Sequence, residues 1–159
     1  MTYMDKALST HVAPQDNGST TDQESREPLV LVVEDGIRLS EAFRVICECL
    51  EIAIERIPSR DDLTVALQNR RPMLIVAEMD AVGQDGCNVL MTVAAHDRSL
   101  PVVLLMGPDP ALLGAVDAVE EIWGLSSVEK WPDLPNVGAM VDLLFRTGRN
   151  GRCMRLMSV

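Results

Sequence analysis

Three short apolar runs stand out along the chain, each of strand length and each without alternating polar positions. They are LVLVV at 29–33, MLIVA at 73–77 and PVVLLM at 101–106. Continuous apolar runs of this length, rich in β-branched residues, are typical of strands covered on both faces of a sheet. The pattern therefore predicts three buried central strands.

Two weaker segments predict further strands. Ile52, Ile54 and Ile57 alternate with polar or small neighbours, which favours a half-covered strand. A last short strand is predicted to end at Lys130. The chain then has five strand candidates.

Between and after these strands, apolar residues recur at spacings of three and four, which predicts amphipathic helices. Ser59-Arg60-Asp61-Asp62 is suited to a helix start, because Ser caps the first turn and Asp suits the helix dipole. The apolar positions predicted to face inward are Leu39, Ala42, Phe43, Ile46 and Leu50; Val89, Leu90 and Val93; Leu112, Leu113, Val116 and Val119; and Val137, Met140, Val141 and Leu144.

Strands and helices alternate from about residue 28 to residue 146, which predicts one α/β domain with a parallel sheet covered on both faces. Residues 1–27 are polar and carry few apolar side chains, so they are predicted to be a disordered tail. Residues 147–159 are predicted to be a basic tail. The residues after Phe145 include no acid and four arginines, Arg146, Arg149, Arg152 and Arg155. This end therefore carries a charge of +4, and the remainder of the chain carries −14.

Composition narrows the function classes. A net charge of −10 disfavours direct binding to nucleic acid or to anionic lipid. No segment approaches the ~20 apolar residues of a membrane span and no signal peptide is visible, so we expect a cytoplasmic protein. The four cysteines form no C-x-x-C pair and no zinc cluster with His11 or His96, and we expect them to be reduced thiols.

Polar side chains follow the predicted strands where a parallel sheet places its binding sites. Glu34 and Asp35 follow the first strand, Glu78 follows the third, and Lys130 ends the last. Because sites in such sheets lie at the carboxyl ends of the strands, these side chains are the candidate site residues. No Gly-rich phosphate loop, nucleotide fingerprint or Ser or Cys nucleophile beside a His is present, so an enzyme is not expected.

The order LVLVVED, EMDAVGQDG, PVVLLMG and VEK resembles the receiver domain of response regulators (CheY-like) over about residues 29–145. The resemblance implies a flavodoxin-like (βα)5 fold, a doubly wound five-stranded parallel sheet. It also implies a site in which an acidic pair binds Mg²⁺, an Asp accepts a phosphoryl group and a Lys neutralises it.

Glu34 and Asp35 match the acidic pair of that family, and Lys130 matches the lysine. Counting back from Asp85-Gly86 puts Glu78 at the phosphoacceptor position, whereas Asp80 would shorten the loop by two residues. A glutamate there displaces in-line attack and mimics a phosphoryl group only in part, with about one charge against −1.5 to −2. Glu34, Asp35 and Asp80 remain an acidic pocket that could hold Mg²⁺, although we expect binding to be weak or absent.

Three further departures weaken the expected switch. Met106 and Ser127 stand at the positions where the family has Ser or Thr after the fourth strand and Tyr or Phe in the fifth. A thioether cannot donate the hydrogen bond that the hydroxyl makes. The family's Lys-Pro dipeptide, with its cis bond, is replaced by Lys130-Trp131-Pro132.

The resemblance therefore predicts an atypical stand-alone receiver protein, or pseudo-receiver, that acts in two-component or phosphorelay signalling by binding another protein. The expected partner is a histidine kinase, a regulator or a transcription factor. Two alternatives remain open: a functional phosphotransfer receiver that binds Mg²⁺ and uses Asp80 or Glu78, and a scaffold domain with an inert pocket.

Trp123 and Trp131 bracket the last predicted strand and are the candidate partner-binding residues. They lie on the face of the fourth helix, last strand and fifth helix, which the receiver family uses for partners, and aromatic residues are enriched at interfaces. A homodimer through this face is an alternative. The tryptophans could also be packing residues, and the arginines after Phe145 could be a solvated end.

Overall fold

A computed structural model describes residues 26–79, 86–107 and 110–150. The predicted polar tail, residues 1–27, extends too far, because Glu27 already belongs to the first strand. Residues 1–25, Asp80 and residues 151–159 lie outside this description. Within it, strands and helices alternate in the predicted order. They are β1 (Glu27–Val33), α1 (Arg38–Cys49), β2 (Ala53–Ile57), α2 (Arg60–Asn69), β3 (Pro72–Glu78), α3 (Gly86–His96), β4 (Val102–Leu105), α4 (Pro110–Trp123), β5 (Val128–Trp131) and α5 (Val137–Asn150).

The five strands form one parallel sheet in the order β2-β1-β3-β4-β5. The three continuous apolar runs are the central strands β1, β3 and β4, as predicted, and they are almost completely buried. β2 and β5 are the edge strands, and every residue of β5 is partly exposed. The parallel α/β sheet expected from the sequence is confirmed.

Two apolar layers cover the sheet. On one face, Val30 and Val32 of β1 pack against α1 and α5. On the other face, Leu31 and Val33 pack against α2, α3 and α4. Successive residues of a strand point to opposite faces, so each central strand supplies both layers. The doubly wound arrangement is therefore observed.

Local signals explain several element boundaries. Ser59 caps α2 as predicted, since its hydroxyl accepts a hydrogen bond from the Asp62 amide at 3.3 Å. β5 continues to Trp131 instead of ending at Lys130, and α5 continues to Asn150, beyond the predicted domain boundary at residue 146.

Two inward positions predicted from helix periodicity are wrong. Val137 is 64% exposed because it opens α5, while Met140 and Leu144 reach the core as predicted. Leu113 is 44% exposed, and Val116 is the fully buried residue of α4. Every residue in the first half of α4, PALLGAV, is apolar or small, so spacing alone does not identify the face that packs on the sheet.

None of the described cysteines forms a disulfide; Cys47 is buried, Cys49 is exposed and Cys87 is partly exposed. Burial raises the pKa of the Cys47 thiol to about 11. None of the described helices has the length and apolar character needed to cross a membrane.

Candidate functional site

Glu34 and Glu78 lie next to each other at the carboxyl edge of the sheet. Glu78 is the last residue of β3, and Glu34 follows the last residue of β1. The register pairs Val33 with Ala77, which places Glu34 level with Glu78 on a neighbouring strand. Neighbouring strands are about 4.8 Å apart, so the two predicted site residues share one edge of the fold.

Glu34 is fully buried and its carboxylate faces the first turn of α1. One oxygen accepts the Leu39 amide at 2.8 Å, and the other accepts the Ser40 amide at 2.9 Å and the Ser40 hydroxyl at 2.6 Å. The Ile37 side chain at the N-cap position gives no cap hydrogen bond. Glu34 therefore supplies the cap that α1 lacks at its own N-cap residue.

Asp35 is exposed and belongs to the loop between β1 and α1. Arg56 of β2 holds this loop through its backbone, because its guanidinium donates to the carbonyl oxygens of Asp35 and Gly36. The interaction ties the loop to the edge strand and leaves the Asp35 carboxylate outside these contacts.

Glu78 has a cationic neighbour that the sequence analysis did not identify. Arg38 Nη1 lies 3.8 Å from Glu78 Oε1, and Arg38 Nη2 lies 3.4 Å from Asp133 Oδ1. The Glu78 side chain is only 19% exposed, whereas that of Arg38 is 60% exposed. Arg38 thus connects β3, the start of α1 and the segment between β5 and α5.

A signal for Arg38 was present in the sequence. An arginine in the first turn of a helix is opposed by the positive end of the helix dipole, and a nearby carboxylate offsets this cost. Arg38 opens α1 four residues after Glu34.

Lys130 does not lie where it was predicted. Its ammonium contacts Asp117 of α4 and lies 3.0 Å from Glu120 Oε2, away from Glu78. Burial alone lowers the pKa of Lys130, but the hydrogen bonds to Asp117 and Glu120, together with their charges, outweigh it and hold the pKa above its usual 10.5. Lys130 therefore joins β5 to α4 and does not neutralise the acidic pocket.

Trp131, and not Lys130, lies level with Glu78 in the sheet. The register pairs Glu78 with Leu105 and Leu105 with Trp131. Trp131 is also followed directly by Pro132, which is the order of the family's Lys-Pro dipeptide. No peptide bond among the described residues is cis, so the Trp131–Pro132 bond is trans.

The two predicted switch positions differ in their outcome. Met106 follows β4 as expected, is 1% exposed and donates its amide to the Trp131 carbonyl at 2.9 Å. Ser127 precedes β5, and its carbonyl accepts the Val102 amide at the opposite end of the strand from the pocket. Placing Trp131 at the lysine position shifts the second switch position from Ser127 to Val128.

The candidate partner surface is unevenly exposed. Trp123 ends α4 and is 36% exposed, beside Ile122 at 76%. Trp131 instead packs on the α1 and α5 layer and stacks against Phe43. Of the two tryptophans, Trp123 is the one that a partner could contact without disturbing the core.

Glu34 and Glu78 already have partners within the chain where the resemblance to receiver domains implies Mg²⁺. Mg²⁺ requires oxygen ligands in an octahedral arrangement, usually including one or two carboxylates. Both oxygens of Glu34 are occupied by α1 donors, and a guanidinium lies beside Glu78. No group of three His, Cys, Asp or Glu side chains within residues 26–79, 86–107 and 110–150 is arranged to hold a metal ion.

Several solved receiver domains have the same architecture as this chain. A response regulator receiver protein from Pseudomonas putida superimposes with a TM-score of 0.59 at 20% identity, covering 76% of this chain and 97% of that one. The receiver domain of an HD domain-containing protein from Pseudomonas fluorescens Pf-5 gives 0.64 at 15% identity, covering 81% and 100%. This chain has the receiver-domain fold.

No protein-family model matches the chain, and no curated protein sequence does. A structure described as an adenylate cyclase from Rhodopirellula baltica also superimposes, with a TM-score of 0.62 at 14% identity over 79% of this chain and 90% of that one. These similarities concern the fold, so function must be argued from the pocket itself.

Proposed function

We propose that this chain is an atypical receiver protein of two-component or phosphorelay signalling that acts by binding another protein and accepts no phosphoryl group. The contact that carries the proposal is Arg38 beside Glu78. The acceptor position holds a glutamate whose charge already has a partner, so a phosphoryl group has neither the usual nucleophile nor a free counter-cation there.

The surroundings of the pocket support the same function. Lys130 contacts α4 instead of the pocket. The position in the sheet that was predicted for Lys130 is taken by Trp131, which packs on the core. Met106 offers a buried thioether where a hydroxyl would follow the phosphoryl group. Without these groups, a phosphoryl group would not bind one conformation of the domain better than another. Because a ligand shifts a conformational equilibrium only through differential affinity, we expect the domain to keep one binding state.

The direct test is treatment with a small acyl-phosphate donor followed by intact-mass measurement. We expect no phosphoryl adduct on the wild type or on Glu78→Gln. An adduct that disappears in Glu78→Gln, or in Asp80→Asn, would instead establish the phosphotransfer alternative and identify its acceptor.

The proposed partner is a histidine kinase, a regulator or a transcription factor, and the proposed contact includes Trp123. Exposed tryptophans at interface centres commonly contribute about 2 kcal/mol or more to binding. We expect Trp123→Ala to weaken capture of the partner and the acyl-phosphate donor to leave capture unchanged. Capture that requires the donor would contradict the proposal.

A further inference from the structure

The Glu34 and Glu78 carboxylates are compensated by groups of this chain. Glu34 receives three hydrogen bonds, all from Leu39 and Ser40 at the positive end of α1. Glu78 lies beside the Arg38 guanidinium, which also reaches Asp133. At this edge, α1 thus compensates the buried Glu34 carboxylate and the half-buried Glu78 carboxylate.

This arrangement differs from a metal-binding carboxylate cluster. In such a cluster, the carboxylates converge on a shared position and repel one another until a cation occupies it. Here the two oxygens of Glu34 are directed to donors on α1. Their desolvation is compensated by charge-assisted hydrogen bonds, which are stronger than neutral ones.

We propose that the N-terminus of α1 and the Arg38 guanidinium take the place of a divalent cation, so that the pocket keeps its conformation without one. Glu34 is then a structural residue and not a ligand. The inference goes beyond the proposed function, because it concerns the folding of this chain alone and requires no partner.

The inference predicts the sign of a charge-neutralising substitution. Removing a carboxylate from a vacant metal cluster relieves repulsion and raises stability. Removing the Glu34 charge from the observed contacts leaves the Leu39 or Ser40 amide facing an amide group, which loses hydrogen bonds in a buried site. Glu34→Gln should therefore lower stability, even without any added metal.

Urea unfolding of the full chain, with and without millimolar MgCl2, tests this sign. The variants are Glu34→Gln, Ser40→Ala and the control Glu48→Gln, which neutralises an exposed acid in the last turn of the same helix. We expect a lower midpoint for Glu34→Gln, a smaller decrease for Ser40→Ala and no decrease for Glu48→Gln. MgCl2 should leave the wild-type midpoint unchanged, since a ligand of the folded state would raise it.

A higher midpoint for Glu34→Gln would overturn the inference, as would a wild-type midpoint that rises with MgCl2 and no longer rises in Asp35→Asn. If Glu34→Gln yields no folded protein, Ser40→Ala carries the test, and an unchanged or higher midpoint there overturns it. Because no phosphoryl donor or partner is used, failure here is distinct from failure of the proposed function.

Discussion

Trp131 of β5 lies parallel to Phe43 of α1, with the ring centroids 6.5 Å apart and the planes 5° from each other. Phe43 is fully buried, and Trp131 packs on the same apolar cluster from the edge of the sheet. The Trp131 indole nitrogen donates to Glu129 at 3.0 Å, so its polar atom is satisfied as well. Trp131 is therefore mainly a packing residue of the core.

Trp131→Ala should destabilise the fold, in contrast to the expectation from sequence that Trp131 is mainly a partner contact. Loss of a packed aromatic ring costs about 3 kcal/mol when it is buried, and about 2 kcal/mol is expected for this partly exposed one. Thermal or urea unfolding measures the loss. Trp123→Ala is the matched control, for which a change within about 0.5 kcal/mol is expected; equal losses in both variants would contradict the assignment.

Lys130 should couple energetically to Glu120 and not to Glu78. The Lys130 and Glu120 side chains are 21% and 22% exposed and 3.0 Å apart, which supports a coupling of about 0.5–1 kcal/mol. Double-mutant cycles with Lys130→Met, Glu120→Gln and Glu78→Gln measure both pairs. A coupling of similar size between Lys130 and Glu78 would restore the pocket role that the structure removes.

Glu51→Gly should stabilise the protein. Glu51 follows α1 with φ of 56°, the left-handed conformation in which a side chain is strained and glycine is not. Glu51 also places a negative charge at the carboxyl end of the helix dipole. We expect a gain of about 0.5–1 kcal/mol in the free energy of unfolding, and Glu51→Ala, which keeps the strain, should gain less.

Cys47 should resist alkylation at neutral pH while Cys49 reacts. Burial raises the pKa of Cys47 to about 11, so its reactive thiolate is scarce in the folded protein. The thiol has a pKa of about 11 in the folded protein against an ordinary value of 9.0, so the folded state keeps the proton at a pH where the unfolded state has lost it. The free energy of unfolding should therefore fall as pH rises from 9.0 to about 11. Peptide mapping after iodoacetamide treatment checks the order of reaction, and rapid labelling of Cys47 without unfolding would contradict it.

Much of the fold was predictable from local pattern. The apolar runs of β1, β3 and β4 have no polar face, so they have to lie at the centre of a parallel sheet. Ser59 was identifiable as a helix cap because its partner amide is three residues away. The adjacency of Glu34 and Glu78 followed equally, since the ends of parallel strands share one edge.

The direction of each site residue depended on the tertiary structure. The four residues of β5 are all partly exposed, so no apolar pattern in the sequence shows which side chains point to which face of the sheet. A shift of the pairing register by one residue moves every side chain of the strand to the opposite face. That shift sends Lys130 to α4 and puts Trp131 at the level of Glu78. Sequence alone determined that the Glu34 and Glu78 carboxylates meet at the edge of the sheet. The tertiary structure decided which cations reach them, because the register of β5 sends Lys130 to α4 and the start of α1 brings its backbone amides to Glu34 and Arg38 to Glu78.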